Sequence, residues 1–356
     1  MTRYVAVLVI ASLQLVFVGL TLALLFATRR RRRLGRERGD SAKLLLSESL
    51  TRLMLTEDRG ESLAGALERL RPEVAARELL SIGGTRLSVE QRRDLATLVR
   101  GAPWVEQIVA QAGSRKWWKR LEAARLLVMV CVEGDGPLVA RLIVDPHPAV
   151  ATAATAAIAG CASPALVTVV VNALPSRTPS VRLQQCIALR RHADMATAVV
   201  VRWLARPAPP SKLRAWIQLV EVLATPAALA AVIPFASHPD VEVRTSTARA
   251  LRYCFSPEGA ETVTRLLEDE DWRVRAAAER AVGALNVRTA IPMLVDAMHD
   301  EAWWVRFRAG LALADLSVEG RSALTEVRSS PDPFARDMAA LVSGLSDGSR
   351  LELTSA

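Results

Sequence analysis

Four histidines and four cysteines are the residues from which this chain of 356 would have to build a nucleophilic or metal site, and their spacing argues against one. His147, His192, His238 and His299 are dispersed. Cys131, Cys161, Cys186 and Cys254 stand 25 or more residues apart, with no close pair of the kind that zinc or thiol exchange uses. Cys161 and Cys254 each fall ten residues after a repeated position described below and read as small buried hydrophobes. Gly83-Gly84 lacks the strand–loop–helix setting that cradles a phosphate, and Glu133-Gly134-Asp135-Gly136 is too short for a calcium loop and reads as a helix break. No catalytic residue, metal ligand or cofactor site stands out.

Binding chemistry is better represented. Arg120, Arg182, Arg214, Arg244, Arg275, Arg306 and Arg336 form a series in which only Ala151 breaks the residue type, with steps of 31, 31, 32, 30, 31, 31 and 30. Seven guanidinium groups on one face would suit phosphates or acidic peptides. The regular recurrence favours a structural use, each Arg bonding a turn Asp or backbone carbonyls of an adjacent unit. Tryptophan follows the same register: Trp117, Trp272 and Trp303 lie three before their anchors, and Trp118 and Trp304 two before. Such residues staple the entry of a helix. With Arg273 and Arg308 close in sequence they also have the composition of an interface centre, which makes these seven residues the candidate partner surface.

The elements that carry these residues follow from the period. The position before the anchor is Val150, Val181, Leu213, Val243, Val274, Val305 and Ala335 after an initial Lys119, and the position six after it is apolar throughout, from Leu126 to Val342. A period of this size marks a solenoid, whose units cannot bury an apolar face alone and stack on their neighbours. Aromatics are only 4% of the chain while hydrophobic residues are 51%, which favours close-packed helices over sheet. Each unit divides into a first helix, often opened by Pro as at Pro137, Pro164 and Pro226, and a second that carries the anchor. Polar turns such as Asp145-Pro146-His147-Pro148 and Glu268-Asp269-Glu270-Asp271 join the two. Asp240 and Asp271, four before their anchors, are placed to cap the second helix.

Ahead of the repeats, residues 4–28 run 25 positions without a charge, enough at about 1.5 Å per residue to cross a hydrocarbon core of about 30 Å. A single transmembrane helix is expected there. Arg29, Arg30, Arg31, Arg32 and Arg33, then Arg36 and Arg38, follow the run, and only Arg3 precedes it. Basic residues beside a span resist translocation, so residues 1–3 are expected outside the cell and the rest in the cytoplasm, with the Arg residues against anionic headgroups. This run holds most of the formal charge of +9: residues 1–43 carry nine Lys and Arg against Glu37 and Asp40, leaving about +2 for the remainder. The repeats therefore lack the basic footprint of a nucleic-acid binder. Gly19, Ala23 and Ala27 recur on one face of the span and offer a route to a homodimer.

The organisation expected is a basic linker over 29–43, an irregular helical cap over 44–102, repeats over 103–345 and a polar tail over 346–356. Within the cap, apolar residues at helical spacing over 43–55 and breaks at Gly60, Pro72 and Gly83-Gly84 set off successive helices.

The pattern resembles the HEAT-repeat family, in its short bacterial form akin to repeats of phycobilisome lyases. The residues that carry the resemblance are Asp240-Val241-Glu242-Val243-Arg244 with Ala248-Arg249-Ala250-Leu251, Asp271-Trp272-Arg273-Val274-Arg275 with Ala278 and Ala281-Val282-Gly283, and Val305-Arg306 with Ala309 and Leu311-Ala312-Leu313. Ala151 and Glu221 depart from it. The resemblance implies an all-α solenoid of about eight two-helix repeats in a right-handed superhelix that holds other proteins. It also implies, by likeness to bacterial membrane-anchored members, a partner in envelope assembly or polysaccharide synthesis. Some HEAT-like proteins are metal-dependent hydroxylases that use adjacent His and Glu, a pair this chain lacks. The reading is a membrane-anchored scaffold rather than an enzyme. A hydroxylase or chromophore-lyase activity, and anionic-lipid or nucleic-acid binding through the Arg run, stand as the alternatives.

Overall fold

The structure, a computed structural model, describes residues 46–53, 55, 60–83 and 89–355. The expected span at 4–28, the residues from Arg29 to Arg38 and the Gly19, Ala23 and Ala27 face lie outside the described residues. Among the described residues there is no strand, and no helix is long and apolar enough to cross a membrane.

These residues form two compact units, one reaching Ser114 and including Arg125–Val132, the other made of Arg115–Ala124 with everything from Glu133 onward. The first holds α1 (46–53), α2 (Glu61–Glu68), α3 (Pro72–Gly83), α4 (Val89–Val99) and α5 (Pro103–Val109). In it, α2 packs on α3 and α4, and α3 on α5, around Leu63, Leu67, Leu79 and Leu95. Gly60 enters α2 at φ 101°, a left-handed conformation that a side chain would strain. α5 buries Trp104, Val105 and Ile108 and falls in the same unit as the helices before it. The next helix, α6 (Trp117–Val130), is divided between the units.

The second unit is a succession of helix pairs. They are α7 (Gly136–Ile143) with α8 (Pro148–Ala156) and its extension α9 (Ile158–Cys161), α10 (Pro164–Ala173) with α11 (Pro179–Leu189), and α12 (Ala193–Leu204) with α13 (Pro210–Leu223). Then come α14 (Pro226–Val232) with α15 (Val241–Leu251), α16 (Pro257–Arg265) with α17 (Trp272–Leu285), α18 (Ile291–Ala297) with α19 (Trp303–Leu316), and α20 (Val318–Val327) with α21 (Pro333–Ser343). Second helices pack on second helices from α8 through α11, α13, α15, α17 and α19 to α21. The residues before the anchors, Val150, Val181, Leu213, Val243, Val274 and Val305, are all buried in these seams. Each such side chain contributes about 1.5–3 kcal/mol on leaving water, so the period of the sequence is the period of the core.

Capping divides by helix type. Ser163, Ser256 and Ser317 accept backbone amides at the starts of α10, α16 and α20, whereas Asp240, Asp271 and Asp332 do so for α15, α17 and α21. Three residues past its Ser cap, a Cβ on Gly320 would stand 2.5 Å from the Leu313 carbonyl oxygen, and one on Gly259 2.6 Å from that of Cys254. Glycine is what lets these first helices approach the end of the preceding helix. The residues read as a polar tail form a helix, α22 (Asp347–Ser355), whose carbonyls at Leu353 and Thr354 accept from side chains of earlier repeats.

Candidate partner-binding face

Three of the anchor residues build the same bond pattern. Arg120, Arg244 and Arg275 each reach the Asp 25 residues ahead, in the turn of the following repeat. The fork is bidentate: Nε to Oδ2 at 2.6, 2.8 and 2.8 Å, and Nη2 to Oδ1 at 2.9, 2.9 and 3.0 Å, for Asp145, Asp269 and Asp300. The same carboxylates accept the amides of His147, Asp271 and Ala302, which closes the turn. The third nitrogen, Nη1, donates to the carbonyls of the Arg's own turn, such as His238 and Pro239 for Arg244 or Asp269 and Glu270 for Arg275. Burial works against ionisation of Asp145, yet the Arg120 fork and the His147 amide outweigh it and hold the carboxyl below its usual range. The Asp269 fork likewise raises Arg244, which is only 7% exposed. These guanidinium groups clamp one turn to the next and have little left to offer a ligand.

Where the turn lacks that Asp, the Arg finds another partner. Arg182 donates to Gln218 at 2.7 Å, and Arg214 stands 3.8 Å from Glu242. Arg306 keeps its bonds to the Asp300 and Glu301 carbonyls, but its Nε has no partner and its guanidinium lies over the Phe334 ring at 5.3 Å. Arg336 donates to the Ser330 carbonyl. In the repeat with Ala151, Arg177 of the next turn supplies the missing donors, bonding the carbonyls of Asp145 and Val144. The departing Glu221 pairs with Arg252 at 3.3 Å and Arg249 at 3.9 Å.

The tryptophans stand at the amino-terminal ends of second helices and remain open to solvent. Trp117, Trp118, Trp272, Trp303 and Trp304 are between 40% and 52% exposed, unusual for so large an apolar surface. Because α17 and α19 are stacked, Trp272 and Trp303 begin neighbouring helices on one edge. Trp303 stacks on Phe307 with ring centres 4.9 Å apart and meets Trp304 edge to face at 4.8 Å. Trp117 stacks on His147 at 4.0 Å, and Lys116 lies over Trp118. Arg273 sits on this edge, bonded to Asp271 and Glu242; its side chain draws Asp271 down to about 2. The sequence reading passed over Phe334, which takes the place of Trp304 in the last repeat and is 65% exposed. The signal was its position, two before Arg336.

Arg308 does not join this edge. It lies one helical turn beyond Trp304, and its spacing to Leu311, Ala312 and Asp315 puts all of them on one stripe of α19. That stripe lines a cavity of about 390 Å³, together with Arg252 of the α15 end and Glu279 and Arg280 of α17. Arg280 Nε donates to the Thr354 carbonyl and Arg308 Nη1 to that of Leu353, both in α22.

Among the described residues no group of three or more His, Cys, Asp or Glu is arranged to hold a metal ion. The four cysteines are free, and burial pushes the Cys186 thiol up to about 12.

The sequence pattern of HEAT repeats matches residues 226–314 and, in an overlapping register, 259–344. This stretch holds the Arg244–Asp269 and Arg275–Asp300 clamps, Trp272, Trp303 and Trp304. No curated protein matches the chain. Among solved structures, a Kap121p mutant is 13% identical over 90% of this chain and 43% of its own, with a TM-score of 0.47. Importin beta is 13% identical over 85% and 48%, with a TM-score of 0.46. YibA of E. coli is 14% identical over 80% and 96%, with a TM-score of 0.37.

Proposed function

We propose that these HEAT-like repeats form a docking scaffold for a protein partner, anchored at the inner face of a membrane by residues 4–28. The observation that carries the reading is the set of exposed aromatic side chains, Trp272, Trp303, Trp304 and Phe334, two or three residues before the anchor at the starts of three successive second helices. Large, stiff aromatic groups beside charged neighbours are what protein interfaces use at their centres. The anchor follows from the uncharged run and the Arg residues behind it, which keep the repeats on the cytoplasmic side. Tethering raises the local concentration of a membrane-associated partner, so a modest affinity suffices. The mechanism is binding and localisation, with a partner in envelope assembly as the working candidate.

The test is site-specific photocrosslinking in intact cells from position 303 or 304. A single dominant adduct that disappears on W272A supports the reading. A spread of weak adducts indifferent to W272A removes it. Protection of a carboxy-terminal tag from external protease in whole cells tests the orientation, and cleavage of that tag would reverse it.

A further inference from the structure

Ser330 stands where other turns of the repeats carry the clamp aspartate. Asp145, Asp269, Asp300 and Ser330 each lie six residues before the anchor position of their repeat. Their backbone role is shared as well: a side-chain oxygen of each accepts the amide two residues on, which for Ser330 is that of Asp332 at 3.2 Å. The carbonyls of Asp269, Asp300 and Ser330 likewise receive Nη1 of the anchor in their own repeat. Only the carboxylate is missing. The step from Arg306 to Ser330 is 24 residues against 25 for the clamps, and the lost residue falls at the joint of α19 and α20, where Ser317 alone separates the helices.

The arginine that would bond that carboxylate is present. α19, which carries Arg306, packs on α21 as α17 packs on α19. Arg306 Nη1 holds the Asp300 and Glu301 carbonyls at 2.7 and 3.1 Å, but its Nε is buried with no acceptor, and Arg306 forms no ion pair among the described residues. Its guanidinium rests over the Phe334 ring instead. A buried donor left without an acceptor costs stability, and here it marks the place of an absent anion. A second group faces the same hydroxyl: His299 Nε2 is 3.0 Å from Ser330 Oγ, with Nδ1 held 3.2 Å from the Val295 carbonyl oxygen. The turn is open to solvent, with Arg328, Ser329 and Pro331 exposed and Ser330 half-buried.

We propose that Ser330 is a phosphorylation site and that its phosphate closes the clamp between the turns of the last two repeats. A protein kinase and a nucleoside triphosphate supply the group: the bond from the γ-phosphorus to the bridging oxygen breaks as the Ser330 Oγ–P bond forms. The nucleoside diphosphate leaves, and the hydroxyl proton passes to a base of the kinase. The phosphate brings about two negative charges and three acceptor oxygens to a position flanked by the idle Nε of Arg306. His299 Nε2, carrying a proton, is a second donor to it. Asp332, the acid nearest in the turn, is occupied in capping α21 through the Phe334 amide. A guanidinium drawn to the phosphate leaves the face of Phe334. The inference stands apart from the docking reading; where that reading also holds, the same movement uncovers one ring of the aromatic edge.

Urea unfolding of the full-length chain in detergent, followed by circular dichroism, is compared for protein with serine at 330 and protein with phosphoserine incorporated there, each with and without R306Q. Phosphoserine is expected to lower the unfolding constant about tenfold, the effect of a hydrogen bond to a charged group, and R306Q to remove that gain. A gain that survives R306Q overturns the proposal, as does a phosphate that destabilises. R306K, which keeps the charge and loses the fork, replaces R306Q if the latter does not fold and is read in the same way. Inorganic phosphate added in excess to the unmodified protein is the control for a free anion. An equal gain that depends on Arg306 would mean that the gap takes a dissolved ion, and the modification is then rejected. In protein recovered from its own cells, the tryptic peptide 329–336 is expected to carry phosphate on Ser330. Phosphate confined to Ser329, or none in growing and starved cells alike, also defeats the proposal.

Discussion

Arg244 shows what the repeated arginine costs and supplies. Arg244 and Asp269 are 8% and 9% exposed at the side chain, so each depends on the other to compensate for leaving water. Arg244→Ala strands Asp269 and is expected to destabilise the second unit by about 3–5 kcal/mol, measured by urea denaturation. Arg306→Ala, which strands no carboxylate, should cost clearly less; equal losses would mean that the forks are not what joins the turns. Glu279 has the opposite character. Burial raises its pKa well above the usual 4.5, with Asp300 adding to it and Arg275 and Arg308 opposing, so the folded chain binds that proton more tightly than the unfolded chain does. Its stabilising effect is present below about 4.5 and is lost as the pH rises towards the folded value. Glu279→Gln should therefore match the wild-type Tm at low pH and exceed it at pH 8. Asp145 carries the reverse sign: its lowered pKa makes its contribution present above the usual 3.8 and lost as the pH falls below that.

The helices themselves are specified at their ends more than along their length. Ser caps the first helix of several repeats and Asp the second, and the two types of start are built differently. The first must fit against the end of the previous helix, which places Gly259 and Gly320 within 2.6 Å of a carbonyl oxygen by the measure of an added Cβ. Gly320→Ala is expected to lose about 1–3 kcal/mol through forced displacement of α20. Ser317→Ala should lose about 1 kcal/mol through the cap. Thermal melts that find Gly320→Ala neutral would show that α20 can move freely, and with it the seam to α19. Proline at the first helical position and the seam valines were plain in the sequence because both are local and periodic. The glycine positions were not, because their reason is a carbonyl five or seven residues upstream, that of Cys254 or Leu313, against which the helix packs.

At the scale of the whole molecule, the proposed binding residues and the contacts that hold the repeats are different residues. The seams between second helices and the Arg–Asp clamps hold the repeats, while the tryptophans at the helix starts remain open. W303A/W304A should accordingly leave the urea midpoint within about 0.5 kcal/mol of wild type in free-energy terms while removing the crosslinked partner. A large loss of stability would return these residues to the role of helix staples. Arg308 belongs with neither group, and its link to α22 joins the last repeats to a segment whose sequence reads as a plain polar tail.

Period, helix type and the columns of small and apolar residues are properties of one dimension, and a chain that repeats every 31 residues writes them openly. The helical type of the repeats and the place of each anchor follow from that register. Partner choice is a property of three dimensions. That Arg177 replaces the donors lost at Ala151, that α5 packs on α3, and that Glu279 is buried without a hydrogen bond depend on which element lies beside which. The same holds for α22, whose carbonyls at Thr354 and Leu353 accept from two guanidinium groups 74 and 45 residues away.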